Sequence, residues 1–212
     1  MNLNTKNLAS SLSTRPGAQV PAPGFLRPWL IWTAGFLSFP LAGLAGTGVA
    51  GRVDSPVAAL FGGLVTGAVI GTAQGLTSSS RLPLVRWLLA TAVGMGLGLL
   101  LGAVAVGYGT SLGDLAVMGA VTGLFLGTAQ AVVLPANWLR RAVWALAMPL
   151  LWALGWTVTI VAGIDVEQAF TVFGASGAVT FSALSGALLH RLLLARRPSG
   201  TRPQHELTKD HR

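Results

Sequence analysis

The distribution of charge constrains this chain more than any other feature. Six stretches, approximately Trp29–Ala50, Pro56–Leu76, Trp87–Val106, Leu115–Leu134, Ala142–Ala162 and Ala169–Leu192, carry no charged residue away from their ends. Each is close to the roughly 20 residues with which an α-helix crosses the hydrocarbon core of a bilayer. Only 9% of the residues are charged and 52% are hydrophobic. A soluble domain carries about a quarter charged residues, because its surface must face water. Charge this scarce cannot cover such a surface, so the sequence predicts an all-α integral membrane domain of six transmembrane helices at residues 25–194. Flanking it are a polar, Pro/Gly-punctuated tail at 1–24, read as disordered, and a basic tail at 195–212. The first apolar run starts near Phe25 and is too long for the core of a cleavable signal peptide.

The loops set an orientation. Thirteen of the fourteen basic residues fall on one side: Lys6, Arg15 and Arg27, then Arg81 and Arg86, Arg140 and Arg141, and six residues from Arg191 onward. The opposite loops hold Arg52 beside Asp54, Asp114, Asp165 and Glu167. Basic loops stay cytoplasmic, which places both termini in the cytoplasm of a bacterial-type inner membrane. The same distribution argues against nucleic acid as a partner of this +8 chain, since short basic flanks on every inner loop are what orientation alone requires. The expected partners are the lipid bilayer and other membrane protein subunits. With no cysteine, disulfides, thiol nucleophiles and Cys-based metal sites drop out.

An internal repeat gives the helices finer character. Residues 63–76 (GLVTGAVIGTAQGL) and 119–132 (GAVTGLFLGTAQAV) are identical at eight of fourteen positions with an offset of 56, and a degenerate third copy begins at Gly177. The chain therefore reads as three tandem two-helix hairpins. Gly63, Thr66, Gly67, Ile70, Gly71 and Gln74 share one helical face, as do Gly119, Thr122, Gly123, Leu126, Gly127 and Gln130. The glycines of these faces, like Ala90, Gly94, Gly98 and Gly102, make small-xxx-small steps that let backbones approach, and a buried Thr or Gln adds an interhelical hydrogen bond. Thr66, Gln74, Thr122 and Gln130 thus form a polar face that either packs helices or lines a path. Asp54, Asp114 and Asp165, each ahead of an even-numbered helix, are expected as caps, with a shared outer cation site as the alternative.

The motif resembles that of uncharacterised bacterial membrane proteins built from repeated hairpins, in which a Gly-rich stretch runs into Gln, often Gln-Trp, then Leu and Arg. Gly67–Gln74, Gly123–Gln130 and Leu139-Arg140-Arg141 carry the likeness, best over Trp87–Arg141; Gly75 and Ala131 stand where those proteins have Trp. The resemblance implies the hairpin architecture and no activity.

No intramembrane charge, histidine cluster or credible nucleophile points to catalysis, and no metal site is expected. Gly174-Ala175-Ser176-Gly177 has the GxSG form of rhomboid proteases, but Ser176 and His190 are predicted on one helix, fourteen residues and roughly 21 Å apart. Trp29, Trp87 and Trp138 beside basic flanks read as interfacial anchors. Trp152 and Trp156, with Trp144 and Met148, form a stripe suited to aromatic packing or to a flat apolar ligand. Pro40 and Pro149 are expected to kink their helices. The leading expectation for function is a non-enzymatic structural, assembly or accessory subunit; the alternative is a channel or transporter for a small solute or ion.

Overall fold

The computed structural model describes residues 24–166 and 170–194, and these are all-helical. Apart from Gly24, the two predicted tails lie outside the described residues. Helix α1 (Leu26–Ala34) passes through a 3-10 turn at Gly35–Leu37 into α2 (Ser38–Ala50). Then come α3 (Pro56–Thr77), α4 (Leu84–Ala105), α5 (Leu112–Val133), α6 (Trp138–Val161) and α7 (Ala175–Leu194). From α2 onward each helix packs on its neighbour in sequence, and α7 returns to α1 and α2, closing the bundle.

Among the described residues, five helical segments are long and apolar enough to cross a membrane: Leu26–Ala50 taken through its 3-10 turn, and α3 to α6. Helix α7 carries Ser176, Thr180, Ser182, Ser185, His190 and Arg191 and is not among them. The last stretch also starts later than its sequence suggests. Ala169 lies outside the described residues, and 170–174 are not helical. The reason is packing: Phe173 is buried among Phe39, Trp152, Trp156 and Phe181, with ring centroids 4.8–6.0 Å away. The adjoining Gly174 N–H donates to Thr159 Oγ1 at 3.1 Å, while its carbonyl accepts the first helical bond of α7, from Ala178 N–H at 2.9 Å.

The prolines act differently from each other. Pro40, in the first turn of α2, has no N–H for the Phe36 carbonyl and its ring crowds that oxygen; the 3-10 turn Gly35–Leu37 contains Phe36. Pro149 stays inside a continuous α6, where the Ala145 carbonyl loses its usual donor. The expectation that Asp54, Asp114 and Asp165 cap helices holds for Asp114 alone, as a partner of the cap. Ser55 caps α3, with Pro56 at the first helical position, and Ser111 caps α5. Asp114 completes a capping box by accepting from the Ser111 N–H at 3.2 Å. Serine does the capping because Ser55 and Ser111 occupy the N-cap position itself, from which a side-chain oxygen reaches the N3 amide. Asp54 precedes its cap, and Asp165 lies ten residues before α7.

The 56-residue repeat extends to helix ends. Gly51, Gly107 and Gly163 are spaced by 56 and have φ of +72°, +59° and +74°. After α4 and α6 the glycine closes a Schellman motif: Tyr108 N–H donates to Ala103 O (2.9 Å) and Ile164 N–H to Thr159 O (3.2 Å). A side chain is strained at this left-handed φ, so glycine ends the helix at low cost.

The exterior is as apolar as the interior, unlike that of a water-soluble bundle. Leu41, Leu44, Val57, Val85, Leu146, Leu150 and Val161 stand outward and exposed, while Thr66, Thr91, Thr122, Gln74 and Gln130 are buried. Apolar area this extensive is stable only against another apolar phase.

Candidate functional site

The site grows from two glutamines in matching places near the ends of α3 and α5. Gln74 is 6% exposed and Gln130 1%. An indole N–H can only donate, so whatever faces it must be an oxygen. Trp87 Nε1, from the first turn of α4, donates to Gln74 Oε1 at 3.0 Å. Trp144 Nε1, from α6, donates to Gln130 Oε1 at 3.1 Å. These two bonds fix both amide orientations. The Gln130 amide nitrogen then donates to Thr91 Oγ1 (3.0 Å) and to Gln74 Oε1 (3.3 Å), so both its hydrogens are engaged. Thr91 passes its own proton to the Trp87 carbonyl at 2.7 Å. One directed network therefore ties α3, α4, α5 and α6 together at a single level, with Trp87 and Trp144 packed 5.9 Å apart.

A third tryptophan makes the corresponding bond where the bundle closes. Trp32 Nε1 donates to Ser185 Oγ at 3.1 Å, and Trp29 Nε1 to the Ala183 carbonyl at 2.8 Å, both on α7. Trp32, Trp87 and Trp144 each have a glycine eleven residues on: Gly43, Gly98 and Gly155.

The two predicted threonines do not join this network. Thr66 donates to the Ala42 carbonyl at 3.2 Å, and its hydroxyl lies 2.8 Å from that of Thr171. Thr122 bonds back to the Met118 carbonyl of its own helix at 2.8 Å. The four residues proposed as one polar face are thus one linked pair and two separate contacts. Thr122 is the one that satisfies itself on its own helix, as a hydroxyl on Cβ readily does, while Thr66 reaches α2 and Thr171, away from the glutamines.

The predicted packing glycines sit where backbones meet. A Cβ on Gly63 would lie 2.7 Å from the Met95 carbonyl oxygen, one on Gly67 2.8 Å from Ala92 Cα, and one on Gly71 3.0 Å from Leu88 Cα, all on α4. Gly119, Gly123 and Gly127 make the equivalent approach to α6, at the Trp152 carbonyl (2.9 Å), Pro149 Cα (2.8 Å) and the Ala145 carbonyl (3.0 Å). That last oxygen is the one Pro149 deprives of its helical donor.

Of the two tryptophans considered for an apolar ligand, Trp156 lines a cavity of about 410 Å³ with Phe39, Pro40, Leu44, Phe170 and Phe173. Trp152 does not line it; it packs against Phe173 and Phe181, and its buried N–H has no partner. Trp87, expected as an interfacial anchor, is fully buried, whereas Trp138 is 78% exposed. Asp54, Asp114 and Asp165 are not brought together: no three potential metal ligands cluster among the described residues. Ser176 and His190 both lie on α7.

Sequence reasoning missed Trp87, Thr91 and Trp144 as members of the polar network, and Trp32 and Ser185 as the bond where the bundle closes. A signal existed, because Gln74 and Trp87 are thirteen residues apart and Gln130 and Trp144 fourteen, each pair bracketing one interhelical turn. Comparison with known protein families, curated proteins and solved structures finds no match to this chain.

Proposed function

We propose that the chain is a non-enzymatic, six-span integral membrane protein that serves as a structural, assembly or accessory subunit of a membrane complex. One observation carries this reading. The polar groups that a solute path would present, the amides of Gln74 and Gln130, are engaged with Trp87, Trp144, Thr91 and one another inside the bundle. A buried network with matched donors and acceptors rigidifies a core, and in a bilayer such bonds hold helices that no hydrophobic force holds. The outward faces are large aliphatic side chains suited to lipid or to another apolar helix.

The test is gentle detergent extraction from native membrane followed by mass spectrometry of what co-purifies. A stoichiometric membrane protein partner supports the reading. A chain that purifies alone and conducts a small solute in liposomes, with flux lost in Gln74→Leu/Gln130→Leu, overturns it in favour of a channel or transporter. A co-extracted apolar molecule would be sought in the cavity beside Trp156.

A further inference from the structure

The turns α3–α4 and α5–α6 meet at one end of the bundle and enclose an open cleft of about 620 Å³, into which Arg81, Arg86 and Arg141 all contribute. Orientation in a membrane requires basic residues on that side; it does not require three of them, from two separate turns, to share one cleft. The described acidic residues are all at the opposite end: Asp54 before α3, Asp114 in the first turn of α5 and Asp165 after α6. No described carboxylate therefore offsets these charges locally. Arg141 is tethered by its Nε, which donates to the Leu134 carbonyl at 2.9 Å. Pro83, also in the lining, is the N-cap of α4 and supplies no side-chain capping bond, and the first turn of α4 has no acidic residue. The positive end of that helix adds to the field of the guanidiniums.

The cleft is not purely polar. Val132, which lines it, is 68% exposed on the outward surface of α5. An occupant must therefore present a compact anion to the arginines and an apolar body to the helix surface. We propose that this cleft binds the phosphate of an anionic phospholipid, with Arg81, Arg86 and Arg141 on its oxygens and an acyl chain running along α5 from Val132. Planar guanidinium forks match phosphate geometry, and basic pockets beside membrane helices take such headgroups. The inference rests on the membrane reading above.

Alkaline carbonate extraction comes first: a chain that leaves the membrane fraction overturns the membrane reading, whereas a retained chain leaves the cleft to be decided separately. Detergent-purified full-length protein is then mixed with vesicles of equal parts phosphatidylglycerol and phosphatidylcholine, and retained lipid is counted by native mass spectrometry. Phosphatidylglycerol is expected to be retained preferentially. Arg81→Gln/Arg86→Gln/Arg141→Gln should reduce that retention by about tenfold or more, while Arg52→Gln, at the opposite end, leaves it unchanged. If the glutamine variant does not insert, Arg81→Lys/Arg86→Lys/Arg141→Lys decides, because it keeps the orienting charge but lacks the fork; a several-fold loss is expected. Retention equal to the unmodified protein in the variant that inserts overturns the proposal. Displacement of the lipid by equimolar inorganic phosphate overturns the lipid assignment and leaves a site for free phosphate.

Discussion

A tryptophan indole has one N–H and no acceptor, so burying it obliges the fold to supply an oxygen. Trp32, Trp87 and Trp144 obtain theirs from Ser185, Gln74 and Gln130; Trp152, equally buried, obtains none. The contrast isolates the worth of one hydrogen bond. Trp144→Phe and Trp152→Phe delete the same atoms from one helix, but only the first leaves an oxygen, Gln130 Oε1, without its donor. Trp144→Phe should be the more destabilising by about 0.6 kcal/mol, the average for such bonds in membranes, and by no more than about 2 kcal/mol. Reversible unfolding in mixed micelles measures it, and equal losses would remove the network's claim to hold the bundle. Burial of the two glutamines on one face was legible from helical spacing. The role of Trp87 was not, because a tryptophan beside Arg86 satisfies the rule for an interfacial anchor equally well. Only its direction around the helix axis separates the two roles, and charge context does not encode that.

Between elements, close approach of backbones sets the geometry. Gly123 faces the Met148 carbonyl and Pro149 Cα, rigid atoms that cannot rotate away, so any side chain there must push α5 and α6 apart. Gly123→Leu is expected to cost more than about 3 kcal/mol, beyond ordinary overpacking. Gly48→Leu, on an exposed part of α2 with open space around its Cα, should change stability by less than about 1 kcal/mol. Comparable unfolding free energies for the two would show that glycine here is incidental. The repeat and its small-residue faces were readable because glycine spacing is a local property. The caps were misassigned because sequence alone shows an acid near a helix start. Whether Ser55 or Asp54 reaches the amide depends on one residue of phase. The unwound entry into α7 depends on Phe173 finding four aromatic rings from α2, α6 and α7, contacts that no local pattern announces.

For the molecule as a whole, charge asymmetry is the property on which insertion acts. The chain has no cysteine, so single introduced thiols report their side of the membrane without background. Ser80→Cys and Asn137→Cys, in the two basic turns, should react with a membrane-impermeant maleimide only in inside-out vesicles. Thr110→Cys, in the α4–α5 turn, should react only in right-side-out cells. Any reversed pair would overturn the proposed orientation, whatever became of the bundle itself. The helical, apolar character of the molecule was plain from composition. The return of α7 to α1 was not, because it joins positions more than 150 residues apart through two indoles and two oxygens.

That closing contact gives the molecule a history as well as a shape. Trp32 and Ser185 are separated by 153 residues, which at about 5–20 residues per second is about 8–30 s of synthesis. Throughout that interval the first helix exists without the surface it will finally rest on, its indole donor unmatched. Of the described helices, the first to be made is thus the last to be settled. Until α7 arrives, what shelters that face of α1 comes from the insertion machinery or the lipid.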